Sequence, residues 1–314
     1  MQFTHDKVGH EHHTTSAAPP PASAVAEPQI DALPPVDILP ATQFTFAELT
    51  AAYNQTRVGY IVPMPMNEAR LREYVHNYSV DMERSIVALA GEQILGLSML
   101  GVRGKTTWVT RLGVLPVKRR RGTGLLLMTN HLEQSYALGA ETVWLEVIKD
   151  NVPAHTLFKK LGFIETRELL VLRRPPLPLE RLTLEVPPYE AEFVGGEEAF
   201  TLLAQRADDP NWLNQTPSLR NVGQLEGLCV SVPHWGWGWI VFQHSLYQLS
   251  RLTIQVEEGD FPSVVRALLH ALHSRHPRHD TKHENMAVTD PRWPILQEFG
   301  YIVSFRRIEM RLDL

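Results

Sequence analysis

Residues 112–125 read LGVLPVKRRRGTGL and join an extended apolar segment to an apolar helix. A strand that leads through a glycine turn into a helix presents unpaired backbone N–H groups at the positive end of the helix dipole. Gly122 and Gly124 lack a Cβ, so the backbone can approach an anion closely and can adopt positive φ. The basic run 118–121 adds charge at the rim. The stretch predicts a diphosphate site, with a ligand-free glycine turn beside a solvated basic run as the alternative.

This loop lacks two common nucleotide signatures, the GK[ST] of a P-loop and the dinucleotide GxGxxG. A nucleic-acid role for the basic run is disfavoured because no aromatic residues alternate with it and because its surroundings are nearly neutral. The formal net charge is −5, and residues 1–40, with five acids and Lys7, contribute −4 of it. We therefore expect no nucleic-acid partner.

The pattern on both sides of the loop predicts an α/β fold. Extended runs such as SIVALAG, TTWVTRLGVLP and TVWLEV alternate with helical stretches near 45–57, 67–78, 122–138 and 153–161. Short turns between three consecutive strands indicate an antiparallel meander, and TVWLEV is expected to pair in parallel with TRLGVLP. In the third helix, the spacing predicts a buried face made of Leu125, Met128, Leu132 and Tyr136.

A second α/β unit follows the proline-rich stretch 173–190. Its helices and strands come in the same order as those of the first unit, and an ungapped shift of 138 residues places the LGF at 161–163 on the FGY at 299–301. We interpret this as an internal duplication, with an unrelated α/β cap as the alternative. The predicted organisation is a disordered tail (1–35), a first domain (36–178) and a second domain (179–314).

Composition excludes several classes of protein and of site. Cys229 is the single cysteine, so an internal disulfide and a cysteine zinc site are excluded. No apolar run approaches the roughly 20 residues that span a bilayer, and we expect a cytoplasmic protein without a membrane partner. Histidines occur in the tail (His5, His10, His12, His13) and at 270, 273, 276, 279 and 283. We expect no metal at either set, because the tail is unordered and Pro277 interrupts the second row.

Together these motifs resemble the GNAT superfamily of acetyl-CoA-dependent N-acetyltransferases. Arg119-x-x-Gly122-x-Gly124 matches its acyl-CoA loop, [QR]xxGx[GA], and 112–116 matches the apolar-x-Val-x-Pro strand that precedes the loop. TVWLEVIKDNVPAHTLFKKLGF (142–163) resembles its fifth strand and fourth helix. The resemblance covers about 36–175. It implies tandem domains of the α/β (α+β) class, each a mixed, mostly antiparallel twisted sheet flanked by helices, the second degenerate.

The resemblance also implies a site for acetyl-CoA as co-substrate. The backbone of Leu112, Gly113 and Val114 is expected to pair with the pantetheine arm like an added strand. Arg119 opens the loop, and the pyrophosphate is expected on the amides of Arg120, Arg121, Gly122, Thr123, Gly124 and Leu125. Asn151 is expected to bind the pantetheine, and its type and place also suit the N-cap of the helix near Pro153.

The reaction that the resemblance implies is direct attack of an amine on the thioester. Alkyl amines have pKa values near 10.4, so a base is needed, and the oxyanion needs an N–H donor. The Val114 N–H is the expected donor, where strands four and five splay apart. Glu146 matches in position the glutamate that protein N-terminal alanine acetyltransferases use as a base. A structural or solvated role is the alternative, because strand alternation places Glu146 opposite Val143 and Leu145.

One residue departs from the superfamily's pattern. Phe158, expected beside the cofactor, fills the position of the usual general acid, a tyrosine, and phenylalanine cannot donate a proton. General acid catalysis is typically worth about 10²- to 10⁴-fold. The two candidate functions are therefore an N-acetyltransferase acting on a small molecule, peptide or protein N-terminus, and a non-catalytic acyl-CoA-binding or interaction module. The loop YIVPMPM (60–66) is where the superfamily builds its acceptor wall.

The second unit differs from the first at the phosphate loop. Its counterpart, IQVEEGDFPSVV (254–265), carries Glu257, Glu258 and Asp260, and three acids repel a diphosphate. We expect no CoA site there and a role in packing or in shaping the acceptor pocket. The run HWGWGW (234–239) places three tryptophans on one face, as core or as a stacking surface.

Overall fold

The structure is a computed structural model that describes residues 36–116 and 122–314. The first half of the chain, residues 36–178, contains six strands and four helices. They are β1 (Val36–Pro40), α1 (Phe46–Thr56), α2 (Glu68–Asn77), β2 (Val80–Ala90), β3 (Gln93–Arg103), β4 (Thr106–Val114), α3 (Thr123–Ala137), β5 (Thr142–Ile148), α4 (Val152–Lys160) and β6 (Ile164–Arg174).

The second half, residues 179–314, repeats this order of strands and helices. Its elements are β7 (Glu190–Val194), α5 (Gly196–Ala204), α6 (Thr216–Val222), β8 (Leu225–Val232), β9 (Gly236–His244), β10 (Gln248–Gly259), α7 (Phe261–Arg275), β11 (Asp280–Ala287), α8 (Trp293–Glu298) and β12 (Ile302–Asp313). The four helices predicted for the first half are all present, with bounds within a few residues of those expected. In the described ranges, no helix is both long and apolar enough to cross a membrane.

The strands form one continuous sheet in which the two halves exchange their last strands. The order is β1-β2-β3-β4-β5-β12-β6-β11-β10-β9-β8-β7. It is symmetric about its centre, because each strand of the first half occupies the same place, counted from the opposite edge, as the strand of the second half whose number is higher by six. Strand β12 lies between β5 and β6, and β6 pairs with β11 of the second half. The predicted boundary at 178/179 thus separates the two halves in sequence. In the sheet, strands of one half are hydrogen-bonded to strands of the other.

The meander and the parallel direction expected for the first half are confirmed, but TVWLEV pairs with residues 106–109 of β4 and not with the predicted stretch TRLGVLP (110–116). Strands β2, β3 and β4 form an antiparallel meander. Strand β5 runs parallel to β4, with partners from Thr106 and Thr142 to Val109 and Leu145. The return through α3 allows this parallel pairing, since a parallel crossover needs a connection of a dozen or more residues.

The halves also share a core at Trp212, which precedes α6. Its ring stacks on Trp108 of β4 with centroids 5.6 Å apart, and its Nε1 donates to the Tyr78 carbonyl at 2.9 Å. Gly101 makes room for it, because a Cβ there would lie 2.8 Å from Trp212 Cζ2. A tryptophan of the second half therefore fills the first-half core between α2 and the sheet.

The predicted buried face of α3 is correct for Met128 and in part for Leu132, but it is wrong for Leu125 and Tyr136. Leu125 and Tyr136 are 48% and 75% exposed, whereas the buried side chains are Thr123, Leu127, Met128, His131 and Ser135. Three of these five are polar, so hydrophobic spacing could not identify them. Ser135 Oγ hydrogen-bonds Thr107 Oγ1 of β4 at 2.8 Å, which satisfies both hydroxyls in the interior.

The interpretation of the tryptophan run as core is correct for one residue of three. Trp239 is fully buried, but Trp235 and Trp237 are 50% and 37% exposed. The exposed pair lies at the end of the β9–β10 hairpin, where Gly236 and Gly259 approach so closely that a Cβ on either would lie 1.9 Å from a carbonyl oxygen of the opposite strand. The two tryptophans are exposed because the start of β9 and the end of β10 extend beyond the hydrophobic core.

The strand exchange predicts that the first half does not fold by itself. A fragment of residues 36–178 lacks β12 and leaves β5 and β6 without their shared neighbour, so we expect aggregation or loss of cooperative unfolding. Adding the fragment 179–314 should restore a soluble complex. Circular dichroism melts and size-exclusion chromatography of each fragment and of the mixture measure this. A monomeric 36–178 fragment that melts cooperatively at the Tm of the full chain would contradict it.

Candidate active site

Strands β4 and β5 stop pairing partway along their length. Their parallel register ends at Val109 and Leu145, although β4 continues to Val114 and β5 to Ile148. Just beyond this point Arg111 has a φ of 55°, and the register of β4 with β3 shifts. This is a bulge, a feature that commonly redirects strands beside active sites. The strands diverge where the resemblance placed the reacting groups.

A cavity of about 570 Å³ lies at this divergence. The first half lines it with residues 108–112 of β4 and 145–148 of β5, together with Tyr60 and Met64 of the predicted acceptor loop. The second half contributes Leu213, Gln248, Arg251, Lys282, Glu284 and Arg307. The lining is rich in charge, with six basic side chains (Arg57, Arg70, Arg111, Arg251, Lys282, Arg307) and three acidic ones (Glu73, Glu146, Glu284).

Glu146 lies in the cavity wall and is hydrogen-bonded by neutral donors. Along β5 the even-numbered residues 142, 144 and 146 are partly exposed while Val143, Leu145 and Val147 are buried, as strand alternation predicts. Trp108 Nε1 donates to Glu146 Oε2 at 2.9 Å, and Asn285 Nδ2 donates to Oε1 at 3.4 Å. Both partners stabilise the ionised carboxylate but add no positive charge at hydrogen-bonding distance.

The pKa of Glu146 is raised to about 7. Burial is the main cause, because it disfavours the charged form, and the nearby carboxylates Glu309 and Glu284 raise the pKa further. The Arg307 guanidinium and the Trp108 hydrogen bond oppose this rise. A carboxyl group that titrates near neutral pH in a cleft can accept a proton and release it again, as a general base requires.

The two neighbouring acids are neutralised by basic partners. Glu309 accepts from Arg167 Nε at 2.6 Å and from Thr166 Oγ1 at 2.8 Å. Glu284 is paired with Lys282 and, at 3.2 Å, with Arg307. Although burial raises it, these two cations hold the pKa of Glu284 at about 2. Of the three carboxyls on β5, β12 and β11, Glu146 has the properties of a base.

A cation at the bulge, Arg111, contacts two tyrosines, of which Tyr74 lines the cavity. Arg111 Nη1 donates to Tyr53 Oη at 2.9 Å, and its guanidinium lies 3.9 Å from the ring centroid of Tyr74. Tyr74 Oη hydrogen-bonds Thr110 Oγ1 at 2.6 Å. Burial raises the pKa of Tyr74 well above its ordinary value, which makes its hydroxyl a poor proton donor.

Asn151, Phe158 and Tyr60 lie together on the opposite wall. Asn151 is the N-cap of α4, as predicted, and its side chain accepts from the Ala154 N–H. Its Nδ2 also donates to Tyr60 Oη at 3.0 Å. Phe158 is buried and lines the cavity beside them. The wall that contains Phe158 therefore also holds a tyrosine hydroxyl, which comes from the acceptor loop.

Of the residues predicted for the phosphate loop, Gly122, Thr123, Gly124 and Leu125 lie at the start of α3. Gly122 is the N-cap, with a φ of 88° and no side-chain cap, so the predicted positive φ is confirmed there. Thr123 and Gly124 begin the helix, so Gly124 does not have the positive φ that was also considered for it. A Cβ on Gly124 would lie 3.5 Å from Leu157 Cδ2. Arg119, Arg120 and Arg121 lie outside the described residues.

The predicted pantetheine strand lies on β4 next to the cavity. Leu112 is a lining residue, and its carbonyl accepts from Arg57 Nη2 at 3.2 Å. Gly113 and Val114 complete β4, and Gly113 faces α1 so closely that a Cβ would lie 2.3 Å from Thr56 Oγ1. The structure thus brings Leu112, Glu146, Asn151 and Phe158 around one cavity, with Gly113, Val114 and residues 122–125 on the adjoining elements.

The second half has the same strand divergence but a different connection to its helix. Strands β10 and β11 pair in parallel over 248–250 and 280–282, and Arg251 has a φ of 56°, matching Arg111. Whereas eight residues join β4 to α3, Asp260 alone joins β10 to α7. Its carboxylate accepts from the Ser263 N–H at 3.0 Å and so caps the helix.

Sequence reasoning missed several residues of this site. Trp108 was missed because the predicted parallel partner of TVWLEV is TRLGVLP (110–116), whereas residues 106–109 form the pairing. Asn285 and Arg307 could not be found from the sequence, because their approach to Glu146 depends on where β12 enters the sheet. One indication of such contacts was available in the sequence, the charged segment FRRIEMRL (305–312) of β12. Charged residues in an otherwise apolar strand indicate that other polar or charged side chains lie beside them in the sheet.

Comparison with known proteins gives a family and a fold. Residues 46–163 match the family model described as the acetyltransferase (GNAT) family. A GCN5-related N-acetyltransferase from Sphaerobacter thermophilus superposes with a TM-score of 0.67 at 17% identity, covering 88% of this chain and 95% of that one. A tandem GNAT protein from the clavulanic acid biosynthesis pathway superposes with a TM-score of 0.61 at 13% identity, covering 89% and 98%. At such identities these structures establish the fold alone. No curated protein matches in sequence.

Proposed function

Through residues 46–163 the chain belongs to the GNAT superfamily of acetyltransferases, and on this basis we propose that it transfers an acetyl group from acetyl-CoA to a primary amine. The carrying observation is Glu146, a carboxyl with a pKa near 7 at the point where β4 and β5 diverge. A non-catalytic acyl-CoA-binding module is the second candidate, and Phe158 in place of a tyrosine is the observation that favours it.

The start of α3 fits the pyrophosphate of acetyl-CoA. Helix α3 begins at a glycine and, like α5, α6 and α8, has no side chain that accepts from a first-turn N–H. Its first-turn amides therefore suit an external anion. The pantetheine would run along Leu112, Gly113 and Val114 to reach Asn151, and Arg119, Arg120 and Arg121 would meet the outer phosphate groups.

In this reaction the chain's residues move two protons and stabilise one charge. Glu146 takes a proton from the amine, whose nitrogen attacks the thioester carbonyl. The Val114 N–H donates to the developing oxyanion. Collapse of the intermediate breaks the C–S bond, and the thiolate takes a proton to leave as free CoA. We propose that these groups act in the space between β4 and β5, which opens at the bulge at Arg111.

Tyr60 is our candidate for the donor of that last proton. Its hydroxyl lines the cavity and accepts from Asn151, on the wall where Phe158 occupies the expected tyrosine position. The remaining proton of the Tyr60 hydroxyl is thus available to the thiolate. The Arg57 guanidinium also lies over the Tyr60 ring, 4.5 Å from its centroid.

The acceptor that we propose is an amine that also carries an anionic group. Arg70, Arg111 and Arg251 line the cavity and, among the described residues, none of them has a carboxylate partner. The second half supplies much of this wall. We propose that it holds no CoA of its own, which the Asp260 cap and the one-residue connection support.

Calorimetry and a thiol-release assay test the function. We expect acetyl-CoA to bind the chain and Gly122→Asp to abolish binding, because a carboxylate would face the pyrophosphate.

Release of CoA should be fastest with amines that carry a carboxylate, by at least about tenfold over the matching carboxamides. Binding with no release on any amine would favour the non-catalytic module. Intact binding in Gly122→Asp would remove the loop from the site.

Glu146→Gln tests the base. In the wild type we expect log kcat/KM to rise with pH below about 7 and to level off above it, since only the ionised carboxylate accepts a proton. The variant should lose this limb and about 10²-fold in kcat, with unchanged affinity for acetyl-CoA. Glu92→Gln, an exposed glutamate in the β2–β3 turn, is the matched control. An unchanged rate in Glu146→Gln would leave this residue a structural role only.

Tyr60→Phe tests the proton donor. The rate of CoA release should fall by about 10²-fold, while Tyr136→Phe, which alters a tyrosine that is 75% exposed, should have no effect. The double variant Tyr60→Phe, Phe158→Tyr should recover activity, because it returns a hydroxyl to the same wall. Equal rates for Tyr60→Phe and the wild type would mean that water protonates the thiolate.

A further inference from the structure

Three histidines of the second half converge at the end of β9. They are His244, the last residue of β9, His276, the C-cap of α7, and His279 in the following turn. One ring nitrogen from each lies within 4.8 Å of the others. The ring centroids are 4.6 to 5.1 Å apart. This cluster lies outside the residues that line the candidate active site.

Pro277 creates this cluster although it breaks the helical row. The row was expected not to bind metal because Pro277 ends the helix, and α7 does end just before it. The chain then turns back, with the His279 N–H donating to the His276 carbonyl at 3.3 Å. The turn brings His276 and His279 to the same face, and His244 reaches them from the neighbouring strand.

The nitrogen positions match those of a metal site. His244 Nε2 and His279 Nε2 are 3.1 Å apart. Two nitrogens bound at about 2.0–2.1 Å to a tetrahedral ion are about 3.3 Å apart. His276 is 7% exposed, and its Nε2 is buried with no hydrogen-bond partner among the described residues. A hydrogen bond between the other two rings would leave that nitrogen unsatisfied, which is costly in the interior.

A carboxylate orients one of the ligands. Glu226 Oε1 lies 3.1 Å from His244 Nδ1, so the Nδ1–H donates to it and the lone pair is left on Nε2, toward the cluster. Carboxylates in this outer position fix the tautomer of metal-bound histidines and raise their basicity. His244 and His279 are partly exposed, so solvent can reach a fourth position.

We propose that His244, His276 and His279 bind a divalent transition-metal ion of the zinc class, with water as a fourth ligand. Imidazole nitrogens suit Zn²⁺ and its neighbours, whereas Mg²⁺ requires oxygen ligands. The bound ion joins the end of α7 to the end of β9 and stabilises the contact between this helix and this strand.

Titration of the full-length protein with Zn²⁺ after treatment with a chelator tests this site. We expect one ion per chain at the cluster and no response to Mg²⁺. His279→Ala and His244→Ala should each weaken the affinity at least about tenfold. His270→Ala, on the same helix but outside the cluster, and replacement of the tail histidines His5, His10, His12 and His13 by alanine should both retain it. Unchanged affinity in His279→Ala, or loss in the tail variant, would overturn the proposal.

Glu226→Gln tests the site without removing any of the three ligands, so its result does not depend on whether the histidine variants fold. We expect it to weaken Zn²⁺ binding about 10- to 100-fold while circular dichroism stays unchanged. Zn²⁺ at about a hundredfold excess over Kd should raise the Tm of the wild type by about 4 °C, and that of His270→Ala equally. A Tm that does not respond to Zn²⁺ in the wild type would contradict a site that joins α7 to β9.

Discussion

Strand β5 depends on β12 for its position. Because β4 leaves β5 after Leu145, one edge of β5 faces the cavity over residues 146–148. The other edge pairs with β12 along its whole length, from Thr142 and Asp313 to Ile148 and Arg307. Buried backbone groups need partners, and β12 supplies them along the whole of this second edge. The candidate active site of the first half therefore exists because the last strand of the second half holds β5.

The same pairing determines the charge of the candidate base. In the register of β5 with β12, Glu309 lies directly opposite Glu146. Like charges at opposed positions are unfavourable, and two devices relieve this pair. Arg167 and Thr166 bind the carboxylate of Glu309, and the raised pKa of Glu146 lets it carry a proton near neutral pH. Arg307, two residues before Glu309, limits the rise. Residues of the second half on the neighbouring strand β12 thus shift the pKa of Glu146 in the first half.

The sequence was sufficient for the elements and for local features. Helix and strand spacing located the repeated element order, and the N-cap Asn151 and the positive φ of Gly122 followed from residue type alone. Features that depend on partners far along the chain could not be predicted. The buried polar face of α3 exists because Ser135 meets Thr107, and Asn285 reaches Glu146 only through the strand exchange. A proline-broken histidine row likewise indicated no cluster until the turn after α7 was known.

The two halves use one architectural feature for different purposes. Each has a parallel strand pair that diverges at an arginine of positive φ, Arg111 in one and Arg251 in the other. Only the first diverging pair is followed by a long connection that could hold a phosphate, since Asp260 closes the second. The second pair instead contributes Gln248, Arg251, Lys282 and Glu284 to the same cavity as the first. In a symmetric sheet with strands exchanged at its centre, the two diverging pairs therefore adjoin a single cavity. Under the proposed function, the half without a CoA loop has no thioester to position, so its polar strand edge is free to contact the acceptor.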